Sequence, residues 1–146
     1  MDYYFLVLFY AMVLEKIYLK VKIALSQTPV YERIKKLERN GVIKKYVAIL
    51  EPEKLDKSLV VFMNITILEH RVGSREEVID QLSELHEITE LFQTSGQYDF
   101  MAKVRVSKVS DYRDFLVEKM AAINNIKNIE SHIVLDEIKY STSLNI

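Results

Sequence analysis

The chain has 146 residues, of which 49% are hydrophobic and 28% are charged, and this is typical of a globular protein with one ordinary domain or two small ones. It contains no cysteine, which excludes thiol catalysis, disulfide scaffolds and cysteine-ligated zinc. The three glycines, Gly41, Gly73 and Gly96, are too far apart for a glycine-rich phosphate-binding loop.

The net charge of −1 hides an uneven distribution of charged residues. Residues 15–45 contain nine Lys and Arg but three Glu, a net charge of +6, whereas residues 51–146 contain 11 basic and 17 acidic residues, a net charge of −6. A basic first third suits a polyanion such as nucleic acid, although a solvated helix face has the same composition. The asymmetry predicts two modules with different partners.

Residues 3–14 are almost all apolar. They are too few for a membrane span, which needs about 20 residues, and no basic region or small-residue cleavage site marks a signal peptide. We therefore expect a buried helix or strand here, in a cytoplasmic protein without a membrane partner.

Residues 26–41 carry the signals of a capped helix. Ser26 or Thr28 can cap its start, Pro29 suits the first turn, and Asn40-Gly41 supplies the stop. The apolar residues at helical spacing then share one face. They are Val30, Ile34 and Leu37.

After this helix, residues 42–43 and 46–50 are predicted to be short strands on either side of the basic pair Lys44-Lys45. A short helix with a polar N-terminal end, followed by a basic hairpin, is what a winged helix-turn-helix requires. Its helix enters the major groove and its lysines meet the phosphate backbone.

The second module has the order β-α-β-β-α-β, with strands predicted over residues 59–68, 88–94, 99–106 and 128–140. A capping box with Ser74 at the N-cap and Glu77 at N3 opens the first helix, and Ser110 caps the second. This order predicts a ferredoxin-like α+β domain with both helices on one sheet face. Because the other face needs cover, we expect a dimer formed through sheet residues such as Phe62 and Met101.

Three stretches of this sequence together resemble the Lrp/AsnC (leucine-responsive, feast/famine) family of transcription regulators. They are LSQTPVYERIKKLERNGVIKKYVAIL at 25–50, TSGQYDF at 94–100 and IVLDEIKYST at 133–142. The resemblance implies a winged helix-turn-helix DNA-binding domain over 1–50, a linker over 51–58 and a ferredoxin-like effector and oligomerisation domain over 59–146. It also implies dimers that assemble into tetramers or octamers, and a small amino acid bound between dimers.

The resemblance also assigns site residues, position by position. Those expected to contact double-stranded DNA are Ser26, Gln27, Thr28, Tyr31, Lys35, Lys36, Lys44 and Lys45. Those expected at the effector site are Thr94, Gly96, Gln97, Tyr98, Asp99 and Ser131. Asp99 could receive the ammonium group of an amino acid or accept hydrogen bonds from loop N–H groups, and Tyr98 is expected to pack in the core.

Residues 1–24 are divergent: residues 1–23 match neither of the family's first two helices. Two functions therefore stay open, an amino-acid-responsive transcriptional regulator and an oligomeric amino-acid-binding module that has lost DNA binding because its N-terminal helices are aberrant. An enzyme would need a reactive centre, for which His132 is the one plausible residue. His70, His86 and His132 lack metal-ligand spacing, so neither catalysis, a metal nor a cofactor is expected.

Overall fold

The computed structural model describes residues 27–142, and the chain divides into two compact units, residues 1–50 and 51–146. The expectations for the apolar stretch 3–14, for the divergent residues 1–24 and for Ser26 lie outside the described residues. Over residues 27–142, no helix is long and apolar enough to cross a membrane.

The first unit contains helix α1, Gln27–Arg39. Thr28 lies inside this helix, so it is not the N-cap residue. Two residues after Arg39 the chain turns away from the helix at Gly41, whose φ of 69° is left-handed. The Gly41 N–H donates to Glu38 O at 3.0 Å and the Val42 N–H to Leu37 O at 2.9 Å, the two bonds of a Schellman motif. The predicted glycine stop is confirmed.

The prediction of two short strands over 42–43 and 46–50 is wrong, because these residues form no β-ladder. A hairpin joining them would need a two-residue turn at Lys44-Lys45. Such turns favour positive φ and therefore Gly, Asn or Asp, which this pair does not supply. Residues 42–50 instead continue from the helix stop without regular secondary structure.

The second unit is an antiparallel sheet covered by helices. After a short 3-10 helix, Pro52–Leu55, the strands are β1 (Leu59–Ile67), β2 (Ile88–Gln93), β3 (Phe100–Val106) and β4 (Ile126–Ile133). Helix α2 spans Val72–Glu84; helix α3 spans Val109–Asp114 and continues as a π-helix over Phe115–Lys119 and a 3-10 turn over Met120–Ala122. The strand order β2-β3-β1-β4 is that of the predicted ferredoxin-like domain.

The core lies between one sheet face and the helices. Alternate residues of β1 and β3 point into it, as the period of two along a strand requires, and the apolar stripes of α2 and α3 close it. Its buried members are Val61, Met63, Ile65, Ile67, Val78, Leu82, Phe100, Ala102, Val104, Val106, Tyr112, Phe115, Met120 and Ile123.

Both predicted helix caps in this unit are wrong. Helix α2 begins at Val72, two residues before Ser74, and its N-cap is Arg71 in an extended conformation without a side-chain cap. Helix α3 begins at Val109 after Lys108, and the Ser110 hydroxyl contacts Asp111 Oδ1 at 3.3 Å instead. In each case the chain enters the helix earlier than the hydroxyl residue, so that residue lies within the first turn.

The fourth strand is shorter than predicted and ends at Ile133 rather than at residue 140. The register pairs Ile133 with Val61, so residues beyond 135 would run past the start of β1 at Leu59. The chain therefore leaves the sheet edge. Residues 134–142, the C-terminal segment, cross the helix-free face of the sheet, which we call the open face.

One backbone bond that continues the β1–β4 ladder and two side-chain contacts on the open face hold the C-terminal segment. The Val134 N–H donates to Val60 O at 2.9 Å. Arg105 Nη2 donates to Glu137 Oε2 at 2.8 Å, and Lys103 Nζ lies 5.6 Å from the centroid of the Tyr140 ring. Part of the cover predicted for the open face thus comes from the chain itself.

Candidate functional site

The predicted effector residues 94–99 form the loop between β2 and β3, which we call the 94–99 loop. The Thr94 N–H donates to Asp99 O at 2.9 Å, and the Thr94 hydroxyl donates to Tyr98 O at 2.8 Å. Gly96 has a φ of 118°, and a Cβ built there meets nothing within 4 Å. Glycine is required at this position by backbone conformation rather than by crowding. Gln97 is exposed beside it.

Asp99 fixes the end of the 94–99 loop to β1. Its N–H donates to Ile65 O at 2.9 Å, and its Oδ2 accepts from the Ile67 N–H at 2.9 Å. The other carboxylate oxygen, Oδ1, lies 3.2 Å from Nδ1 of His70. The Asp99 side chain retains 20% of its exposure. The one backbone N–H that the Asp99 side chain accepts belongs to Ile67 on β1 and not to the loop, and the role predicted for Asp99 toward an ammonium group stays a prediction.

Tyr98 was expected in the core, and that expectation is wrong. Its side chain is half-buried outside the core, and its hydroxyl donates to Glu130 Oε2 on β4 at 2.5 Å. This hydrogen bond, helped by burial and by the charge of Glu130, raises the pKa of Tyr98 above its usual value of 10.0.

Glu130 continues the network across the open face. Its Oε1 lies 3.0 Å from Nε2 of His132, and the same ring nitrogen is 3.3 Å from Nδ2 of Asn64 on β1. Four side chains, Tyr98, Glu130, His132 and Asn64, thus connect the 94–99 loop to the middle of the open face.

Ser131 lies on the opposite side of β4 from this network. It pairs with Met63, whose side chain is buried in the core, and its hydroxyl lies 2.6 Å from the Tyr112 hydroxyl of α3. Its neighbours Glu130 and His132 point to the open face because side chains alternate along a strand. The structure therefore brings the five residues of the loop together but leaves the Ser131 hydroxyl on the helix side.

The open face also carries the apolar residues expected to meet a second copy. Phe62 is half-buried and Met101 is exposed, and the neighbouring Phe92 on β2 is exposed as well. Between them Lys103 is buried and forms an ion pair with Glu90 at 3.1 Å. The face is a mixed surface in which apolar side chains surround a neutralised charge.

The histidines do not form a reactive or metal-binding centre. The His132 side chain is 55% exposed and contacts the side chains of Glu130 and Asn64. It therefore does not form the enclosed reactive centre that an enzyme would need. His70 and His86 lie beside Asp99 and Glu87 respectively. Across residues 27–142 no group of three or more His, Asp or Glu side chains is arranged to hold a metal ion.

The candidate nucleic-acid surface is on the first unit. Lys35 Nζ donates to Glu38 Oε2 at 2.8 Å and lies 5.7 Å from the centre of the Tyr31 ring. The hydrogen bond from Lys35 to Glu38, and then the carboxylate charge, raise the pKa of Lys35 above its usual value. Tyr46 also donates to Glu38, at 2.9 Å, so this carboxylate joins α1 to residues 42–50.

The remaining residues predicted to contact DNA lie partly on α1 and partly in the segment that follows it. Lys36 on α1 and the pair Lys44-Lys45 after it are exposed. Gln27 and Thr28 are the first two described residues of α1. Lys35 is the one of the four lysines that is held by a carboxylate, so Lys36, Lys44 and Lys45 present the more available positive charge among the described positions.

Three residues at these sites carry no local signal in the sequence. His70 reaches Asp99 and Glu130 reaches Tyr98 across about 30 residues of chain, and Tyr112 reaches Ser131 across 19. Only the tertiary fold brings these partners together, so neither motif nor spacing identifies them.

Comparison with known proteins places the chain in a family. Residues 60–144 match the model of the Lrp/AsnC ligand binding domain. The leucine-responsive regulatory protein of Klebsiella pneumoniae is 36% identical over 126 residues, which are 86% of this chain and 77% of that protein.

Two solved structures are similar over most of the chain. An AsnC family transcriptional regulator from Agrobacterium tumefaciens has a TM-score of 0.81 and 33% identity, with 87% of this chain and 82% of that chain covered. A transcriptional regulator of Neisseria meningitidis, in a complex with L-methionine, has a TM-score of 0.83 and 26% identity, with 89% and 84% covered.

The fold and these matches define a ferredoxin-like regulatory module of the kind found in transcription regulators. The chain belongs to the Lrp/AsnC family of transcriptional regulators. The family is not enzymatic, so no catalytic residue is assigned.

Proposed function

We propose that this protein is a DNA-binding transcriptional regulator whose activity responds to a small amino acid. The observation that carries the proposal is the extent of the match to the leucine-responsive regulatory protein. The second unit, residues 51–146, has 96 residues. A match over 126 residues must therefore extend well into the first unit, which holds the basic helix. Both halves of a regulator are then represented in one chain.

DNA would be bound by the first unit. Helix α1 would enter the major groove with its N-terminal end, to which the family resemblance assigns the contacts of Ser26, Gln27, Thr28 and Tyr31, and Lys36, Lys44 and Lys45 would lie against the phosphates. Lys35 would contribute less to affinity, because its ammonium is already paired with Glu38. In this role the lysines supply a salt-dependent, sequence-independent part of the affinity.

The amino acid would be bound at the 94–99 loop. The partly exposed Asp99 side chain carries a carboxylate oxygen, Oδ1, that suits an ammonium group, and the open position at Gly96 lets a ligand approach the loop backbone. The Neisseria relative with a bound L-methionine supports an amino acid as the ligand class. No metal or organic cofactor is required for such a site.

The working form would be a cytoplasmic homo-oligomer. Exposed Met101 and Phe92, with half-buried Phe62 on β1, give the open face an apolar surface that a second copy would cover. Dimers would then assemble into tetramers or octamers, and a ligand that changes their spacing would change which half-sites the helices reach together. Analytical ultracentrifugation at micromolar concentration tests this, and a stable monomer would contradict it.

A second function remains because residues 1–23 depart from the family's first two helices. If they do not support α1, the protein is an oligomeric amino-acid-binding module without DNA affinity. Both functions predict that the protein binds an amino acid. Only the first predicts that it also binds DNA.

Gel shifts on the gene's own upstream region distinguish them. The regulator shifts this DNA at low salt and loses affinity as salt rises, and the double variant Lys44→Gln/Lys45→Gln weakens the shift. The matched control is Lys54→Gln/Lys57→Gln, which removes two exposed lysines from the second unit. No shift at low salt, together with a calorimetric signal for L-methionine, would establish the second function instead.

A further inference from the structure

The two oxygens of the Asp99 carboxylate have different partners: one accepts a backbone N–H, and the other lies beside an imidazole nitrogen. Oδ2 accepts the Ile67 N–H at 2.9 Å and cannot be released without breaking a contact to β1. Oδ1 has His70 Nδ1 at 3.2 Å. A ligand ammonium that pairs with Asp99 Oδ1 must therefore displace the imidazole that already lies there.

His70 is able to leave this position. It lies on residues 68–71, which join β1 to α2, and its side chain is 55% exposed. An exposed side chain of this kind changes rotamer within nanoseconds and at little cost. By contrast, the Asp99 backbone is held by bonds to Ile65 and Thr94. The carboxylate is thus a fixed receptor and the imidazole a movable partner.

The charged groups around His70 leave Asp99 as its ion-pair partner. Asp99 faces it from the 94–99 loop. Its neighbours Glu69 and Arg71 pair with each other at 3.9 Å. Glu69 is also held through its backbone by Asn125, whose Oδ1 accepts the Glu69 N–H at 2.7 Å. Among the ion pairs of the described residues, Asp99 is the carboxylate that pairs with His70.

We propose that His70 is a residue of the amino-acid site, where it competes with the ligand ammonium for Asp99 Oδ1 and makes ligand affinity fall as the pH falls. This inference rests on the proposed function, because it takes an amino acid as the ligand of the 94–99 loop. An imidazolium holds the carboxylate by charge as well as by hydrogen bonding, whereas a neutral imidazole yields to the ammonium. The ligand would bind well only when His70 is neutral.

The test is isothermal titration calorimetry of the full chain with L-methionine as the probe, at about pH 7.5 and about pH 5.5. L-Methionine stays a zwitterion across this range. For a half-exposed pair we expect binding to be about two- to fivefold weaker at the lower pH. In His70→Gln this dependence should disappear, and affinity at the lower pH should rise to the level found at the higher pH.

His86→Gln is the matched control. His86 is also exposed and also lies beside a carboxylate, Glu87, at 3.3 Å, but it is outside the 94–99 loop. It should keep the pH dependence of the original chain. Asp99→Asn, which keeps an oxygen for the Ile67 N–H, should weaken binding at both pH values and remove the dependence.

The possible failures are distinguishable. Binding of L-methionine with no pH dependence, or with a dependence that survives in His70→Gln, would overturn the role of His70 and leave the amino-acid site standing. Absence of binding at both pH values, for L-methionine and for a panel of the other amino acids, would overturn the amino-acid site and the role of His70 with it. Circular dichroism of each variant at both pH values confirms that the comparison is made between folded chains.

Discussion

The Tyr112 hydroxyl of α3 and the Ser131 hydroxyl of β4 lie 2.6 Å apart and join the helix layer to the edge strand of the sheet. Burial raises the pKa of Tyr112 above its usual value of 10.0, although the hydrogen bond to Ser131 acts in the opposite direction. Ser131 thus satisfies a phenol that is otherwise enclosed by the core, and this structural task differs from the ligand contact that the family resemblance implies for it.

Replacement of Ser131 by Ala should lower the free energy of unfolding by about 1–2 kcal/mol, because the buried Tyr112 hydroxyl loses its partner. Tyr112→Phe should cost less in the double variant than alone, since the hydroxyl and its partner are then removed together. Urea unfolding of the four chains measures this. L-Methionine affinity should be unchanged in Ser131→Ala; a loss of affinity at unaltered stability would return Ser131 to the effector site.

The ion pair of Glu87 with Lys119 predicts a loss of stability in acid. Burial acts to raise the pKa of Glu87, but the hydrogen bond from Lys119, a backbone hydrogen bond and the nearby positive charges outweigh it, so the pKa lies below 4.5. A carboxyl whose pKa is lowered by folding stabilises the protein at every pH above the ordinary pKa of that carboxyl. That contribution disappears as the pH falls below 4.5 through the folded value. In Glu87→Gln the loss of stability with falling pH should be less steep.

At neutral pH, Lys119→Met should destabilise the protein by about 1–3 kcal/mol, because Glu87 then remains buried without its cation. Lys108→Met is the control, since Lys108 is exposed and lies 3.9 Å from Asp111, a surface pair of little energetic weight. Equal effects of the two substitutions in thermal unfolding would show that the Glu87 pair does not act as a buried pair.

The hydrogen bond from Tyr98 to Glu130 predicts a measurable change in phenol titration. In Glu130→Gln the pKa of Tyr98 should fall back towards 10.0, because the amide carries no charge to disfavour the phenolate. Carbon-13 NMR of labelled tyrosine, followed against pH, separates this residue from the other tyrosines once it is assigned with Tyr98→Phe. An unchanged titration in Glu130→Gln would mean that the two side chains do not meet in solution.

Two glycine substitutions should act in opposite directions. Gly96→Ala places a side chain at a φ of 118°, which costs about 1–2 kcal/mol even though the space is open. Gly73→Ala, inside α2 and also facing open space, should stabilise the protein by up to about 1 kcal/mol. Chemical denaturation compares them, and stabilisation by both would show that the 94–99 loop does not hold Gly96 at positive φ.

The periodicity of apolar residues predicted the second unit well. Strands β1, β2 and β3 lie within about one residue of their predicted bounds, and both helices predicted between the strands are present. These features depend on local alternation between apolar and polar residues, which the sequence displays directly.

Features that depend on long-range register could not be predicted in this way. The end of β4 is set by where β1 begins, and the helices start at Val72 and Val109, ahead of the hydroxyls of Ser74 and Ser110. The same holds for the site: the 94–99 loop is predicted from its own motif, whereas His70 reaches it from the connection between β1 and α2 and Glu130 from β4.

The central claim is that DNA binding by the first unit responds to an amino acid bound by the second. Fluorescence anisotropy of labelled upstream DNA, titrated with the protein in the presence and absence of saturating L-methionine or another bound amino acid, measures this coupling directly. We expect specific, salt-sensitive binding whose affinity changes about five-fold or more on addition of the amino acid. Identical titration curves with and without an amino acid that calorimetry shows to bind would contradict the claim.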